Sequence, residues 1–130
     1  MDCSQLVRVM AAMAHPTRIA IIRHLGNHTP GSISVGALVH ALKVPQSTLS
    51  AHVSILVDAR LLVSDRRSRA IFYRVNSLAI AEALAFILSE ICKVDNQMSA
   101  LIRSVLRADT AAASPRKGDP IEGLASHRRD

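Results

Sequence analysis

Two short runs carry side chains suited to holding a polyanion. Gln46, Ser47, Thr48 and Ser50 crowd amide and hydroxyl groups into one stretch, and Arg66, Arg67 and Arg69 crowd guanidinium groups into another. Gln can bond an adenine edge through two atoms, and Ser or Thr can bond a base or a phosphate. Lys43, just upstream, is placed for a backbone phosphate. His52, six residues into the same stretch, offers either a phosphate contact or a packed ring. This is recognition chemistry, not bond-making chemistry. No nucleophile–base spacing, Gly-rich phosphate loop or paired carboxylates occur in the 130 residues, which argues against an enzyme.

Recognition by such residues needs a scaffold that presents them on one side. Val35, Leu38 and Leu42 give a buried stripe to a helix that Ser34 can cap. Pro45 breaks that helix and can begin the next. There, Leu49, Val53 and Leu56 recur at i, i+4, i+7, while Ser47, Ser50, Ala51 and Ser54 fall on the opposite side. An ordinary solvent-facing side would carry Glu and Lys. A side of Gln, Ser, Thr and Ala allows close approach to base edges and phosphates. Leu61–Ser64 and Ala70–Val75 are expected as two short strands, with Asp65–Arg69 as the turn between them. The arrangement is a helix-turn-helix followed by a β-ribbon wing. The second helix enters a major groove, and the wing arginines lie along a minor groove or flanking phosphates.

Around this centre, Leu6, Val9, Met10 and Met13 mark a first helix. Pro16 suits the first turn of a second helix, which ends at Gly26. Asn76 or Ser77 can cap a fifth, with Ala81, Ala85, Leu88 and Cys92 along one stripe. Asp95-Asn96 interrupts it before Met98–Leu106 resumes the period. The fold class expected is mainly α with a small β-hairpin wing, about five to six helices in all. Residues 1–107 are expected to form the helix-turn-helix DNA-binding domain, to which the resemblance given below adds dimerisation, and 108–130 a basic, disordered tail.

Composition agrees with a duplex partner. Lys and Arg number 16 against 10 Asp and Glu, a net charge of +6, which favours a polyanion. Aromatic residues are only 2%, whereas proteins that bind single strands stack bases on aromatic rings. The start, MDCSQLVRVMAAM, has an acid at position 2 and an arginine in its apolar run, unlike a signal peptide. Leu78–Cys92 is too short to span a bilayer and is broken by Glu82 and Glu90. The expected location is cytoplasmic, with Cys3 and Cys92 as free thiols.

The pieces AMAHPTRIAIIRHL, SVGALVHAL, QSTLSAHVSIL and AIFYRV, in that order between Ala12 and Val75, resemble the ArsR/SmtB family of bacterial winged helix-turn-helix repressors. The resemblance covers about half of the chain. It implies a homodimer joined through the first and fifth helices, bound to an inverted repeat in double-stranded DNA near a promoter. It also implies release by a metal, metalloid or thiol-reactive effector. One departure is Pro45, which stands where the family usually has a small polar N-cap.

The family's effector sites match poorly. The third helix, Val35-Gly36-Ala37-Leu38-Val39, has no Cys-x-Cys motif, and the fifth helix has no histidine. His24 and His28 have a metal-ligand spacing but straddle Gly26. Cys92 falls near the end of the fifth helix, where sulfide- and redox-sensing relatives carry one reactive cysteine, and Cys3 is its only possible partner. Because the first and fifth helices pack together at the dimer interface the family implies, the two thiols can meet within or across protomers. There they would take trivalent arsenic or antimony, or reactive sulfur species. Cys92 can equally be a buried apolar residue on its Ala/Leu stripe. The readings left open are a regulator with no metal effector and a winged-helix protein–protein interaction module.

Overall fold

The computed structural model describes residues 1–29 and 31–113. They fall into two units, one spanning Met1–Cys92 and the other beginning at Lys93. In the first unit the elements run α1 (Cys3–Met13), α2 (Pro16–Gly26), β1 (Ile33–Ser34), α3 (Val35–Leu42), α4 (Gln46–Asp58), β2 (Leu62–Arg67), β3 (Ala70–Val75) and α5 (Ser77–Phe86). A π-helical turn, Ile87–Ile91, continues α5. The second unit contains α6 (Asn96–Ala113). This is the expected mainly helical fold with a small antiparallel wing.

Local chemistry sets the helix ends. Asp2 and Gln5 form a reciprocal capping box at the start of α1. Pro16 opens α2, and the His15 ring accepts the Thr17 N–H through Nδ1 at 3.1 Å. Ser34 caps α3 by accepting the Ala37 N–H at 3.2 Å. Lys43 ends α3 in the left-handed region at φ 54. Asn76 caps α5 and also donates to the Arg60 carbonyl at 2.9 Å, fastening the end of the wing to the end of α4.

The core is aliphatic. Leu49, Val53 and Leu56 from α4 meet Ile21 and Leu25 from α2, Leu38 from α3, and Leu61, Leu62 and Val75 at the base of the wing. Burying each large side chain fully is worth about 1.5–3 kcal/mol. This is what holds α4 by one side and leaves the other free.

Several expectations change. The two-residue β1 pairs with β3 and makes the sheet three-stranded, in the order β1-β3-β2. β2 runs on to Arg67, which pairs with Ala70, so Arg66 and Arg67 belong to the strand and only Ser68-Arg69 make the turn. Ser68 takes a left-handed φ of 55 there. On α1 the buried stripe is Leu6, Val9 and Ala12, while Met10 is exposed. On α5 Ala79 and Ala83 are buried and Ala81 and Ala85 exposed, and Cys92, past the π-helical turn, is exposed as well. Helix α6 runs through Ala113, past the expected end of periodic structure at residue 107, and the remainder of the expected tail lies outside the described residues.

Candidate nucleic-acid interface

Helix α4 presents Gln46, Ser47, Thr48, Ser50, Ala51 and Ser54 on its exposed side. Its burial pattern explains this directly, because Leu49, Val53 and Leu56 fix the rotation of the helix about its axis. Pro45 occupies the N-cap position and gives no side-chain cap. It has no N–H itself, and its carbonyl accepts the Leu49 N–H at 2.9 Å. The N–H groups of the first turn therefore point outward without a side-chain acceptor, an arrangement suited to an anion. Lys43 is exposed just before this turn. Its left-handed backbone makes the sharp connection from α3.

The wing separates its arginines by strand alternation. Arg66 shares a face with Ser64, Ile71 and Tyr73, whereas Arg67 shares the other with Asp65 and Phe72. Arg67 donates from Nε to Asp65 Oδ2 at 2.9 Å, and its guanidinium carbon lies 4.9 Å from the Phe72 ring centroid. The pair is exposed, with more than half of each side chain open to solvent. Its stability contribution is accordingly small, about 0.2–1 kcal/mol. It does hold Arg67 in one place. Among the described residues Arg66 and Arg69 have no such tie and are exposed. Sequence spacing alone treats the three arginines as equivalent, and the partner role of Asp65 needs the strand register to be seen.

His52 behaves differently from its neighbours on α4. It is half-buried, and its ring stacks against His15 with centroids 4.4 Å apart and a tilt of 40°. Its Nδ1 is buried with no hydrogen-bond partner. Burial pushes the ring below the ordinary histidine range, and the nearby charges of His15 and Arg18 push it further the same way. Arg18 donates from Nη1 to the carbonyls of Ala11 and Ala12 at 3.3 and 3.1 Å, tying the end of α1 to α2. The sequence suggests no cluster of His15 with His52 and no role for Arg18, whereas the fold brings all three together. The only signal for His15 and Arg18 was their place in the AMAHPTRIAIIRHL run.

The thiols sit elsewhere. Cys3 at the start of α1 and Cys92 after the π-helical turn are both free and exposed. Within one chain, then, Cys92 is not buried on its stripe. His24 and His28 bring their rings to 4.9 Å, but His28 Nδ1 lies 2.8 Å from the His24 carbonyl oxygen. Among the described residues no group of three or more His, Cys, Asp or Glu side chains comes together to hold a metal. No helix there is long and apolar enough to cross a membrane.

Comparison with known proteins points the same way. A helix-turn-helix domain model matches residues 13–65. The transcriptional repressor PagR of Bacillus anthracis is 32% identical over 69 residues, which are 53% of this chain and 67% of PagR. The repressor SmtB of Mycobacterium tuberculosis is 37% identical over 67 residues, 52% of this chain and 47% of SmtB. The chain therefore spans about half to two thirds of the length of these relatives. Among solved structures, the homodimeric winged helix-turn-helix DNA-binding domain of Mb0332 from Mycobacterium bovis superposes with a TM-score of 0.55 at 26% identity, covering 66% of this chain and 77% of that one. With its helix-turn-helix, its wing and these repressors as relatives, the chain belongs to the ArsR/SmtB family of winged helix-turn-helix transcriptional repressors.

Proposed function

We propose that the chain is a homodimeric repressor that reads an inverted repeat in double-stranded DNA. The observation that carries this is the exposed side of α4. Its small polar residues are held outward by a fully buried Leu49–Val53–Leu56 stripe, and its first turn is uncapped. Gln46, Ser47, Thr48 and Ser50 contact base edges. Lys43, Arg66, Arg67 and Arg69 bind phosphates and set the register.

The dimer reading rests on apolar stripes left bare beside each other. On α1, Cys3, Val7 and Met10 recur at i, i+4, i+7, and Val7 is 67% exposed. On α5, which packs against α1, Leu78 is 68% and Leu84 55% exposed, and Ala81 and Ala85 are exposed beside them. An apolar surface of this kind fits a second copy of the same surface. Two-fold symmetry then explains a repeated, inverted half-site. Such a face also mimics a core face in sequence, which is why Met10 looked buried.

The effector reading is that Cys3 and Cys92, both on surfaces bare in one chain, face each other across the dimer. They take trivalent arsenic or antimony, or reactive sulfur species, and DNA is released. Among the described residues of one chain no three such donors come together, so the reading rests on the two thiols.

Site selection from a random duplex library tests the base contacts. The wild-type chain should enrich an inverted repeat, and Gln46→Ala should relax the preference at one position in each half-site. An identical selected profile for the variant would remove Gln46 from the bases. Failure to enrich any duplex would overturn the function proposed.

A further inference from the structure

Of the residues expected at the interface, His52 is the one that turns inward. What it meets is specific. His15 stands at the junction of α1 and α2 with its ring 4.4 Å from that of His52. Its Nδ1 accepts the Thr17 N–H, so that nitrogen carries no proton while α2 is capped. Arg18, one turn along α2, reaches back to the carbonyls of Ala11 and Ala12 and leaves its Nε buried without a partner. The cluster thus holds one permanent cation and two imidazoles. Among the described residues no carboxylate is bonded to any of the three. Among the described residues the charges that shift His52 are those of His15 and Arg18, and no carboxylate is among them.

We propose that His15, Arg18 and His52 are positioning residues that seat the recognition helix only while both imidazoles are neutral, so that acid unseats it and weakens DNA binding. This rests on the DNA-reading function proposed above and adds a pH-dependent control to it. Protonating His52 sets a second half-buried cation against Arg18. Protonating His15 turns the acceptor at the start of α2 into a donor facing the Thr17 N–H, and the cap is lost. Both events act in the same direction, one at the start of α2 and the other on α4 itself.

The sign separates this from ordinary electrostatics. More positive charge strengthens attraction to phosphate in general, so simple titration tightens binding toward acid. The cluster predicts the reverse. The His52 ring titrates below its ordinary range in the fold. Its neutral form therefore contributes stability that is complete above about pH 6.5 and is lost as the pH falls through that value toward the lowered one.

The test uses the full chain and a duplex enriched at about pH 7.5, at fixed ionic strength. A double variant, His15→Asn with His52→Phe, keeps an N-cap and a ring but has no proton to gain. Phe also removes the buried nitrogen that lacks a partner. Wild-type affinity should fall from about pH 7.5 to about 5.5, while the variant's stays level or tightens as ordinary histidine and phosphate charges dictate. Matching profiles, or wild-type binding that tightens in acid, would overturn the inference. Thermal unfolding of both chains over the same pH range needs no DNA. The wild-type Tm should drop more steeply than the variant's, and parallel curves would also overturn it. If no duplex is bound at any pH while the unfolding curves diverge, the DNA-reading function fails and the histidine coupling stands. Should the double variant not fold, His15→Asn alone serves for both measurements.

Discussion

Replacing Arg66 with Ala should change the salt dependence of DNA binding more than replacing Arg67. Arg66 is exposed on its own face of β2 and has no ion-pair partner among the described residues. Arg67 is already held by Asp65 at 2.9 Å. Each phosphate contact contributes about 0.9 to the slope of log affinity against log salt, so one wing per protomer makes the Arg66 loss about 1.8 for a dimer. Over a fourfold rise in salt, from about 50 to about 200 mM, the gap between wild type and Arg66→Ala should therefore narrow by about tenfold. Arg67 must exchange its carboxylate for a phosphate, which biases it away from DNA by up to about fivefold, the Boltzmann factor for about 1 kcal/mol. Its slope change should be the smaller of the two. Fluorescence anisotropy with a selected duplex across that salt range measures both. Equal slopes for wild type and Arg66→Ala would refute the placement of Arg66 at phosphate. A larger effect from Arg67 would refute the reasoning from its tether.

Two further outcomes follow from single residues. Ser68 holds a left-handed backbone at φ 55 in a two-residue turn. Ser68→Gly should remove about 1–2 kcal/mol of strain and add back about 0.5–1 kcal/mol of chain entropy, raising Tm by a few degrees. An unchanged or lower Tm in thermal denaturation would count against strain there. Cys92→Ser should bind the operator as wild type does but fail to release it on exposure to arsenite or polysulfide. Normal release by that variant would end the thiol reading.

The recognition helix was legible because its two sides differ in kind. Leu49, Val53 and Leu56 keep a helical period that nothing else in the run imitates, and all three are buried. The caps at Ser34 and Asn76 were legible for the same local reason. Helices α1 and α5 were harder. Each is apolar on two sides, so Met10, Ala81 and Ala85 could not be told from core residues by period alone, although all are exposed. Burial on α1 falls instead on Ala12, too small to stand out. The wing turn is shorter than its polar run suggests because Ser68 takes a conformation usually signalled by Gly or Asn. β1 is two residues long and carries no pattern at all. The His15–His52 stack joins residues far apart in sequence, and only the packing of α2 on α4 brings them together.

The central claim is that two copies of this chain read one inverted repeat through α4 and the wing. Native mass spectrometry of the chain with a selected duplex tests it most directly. The account predicts two chains per duplex, and weak binding when one half-site is scrambled. One chain per duplex, bound equally well to the scrambled sequence, would contradict it.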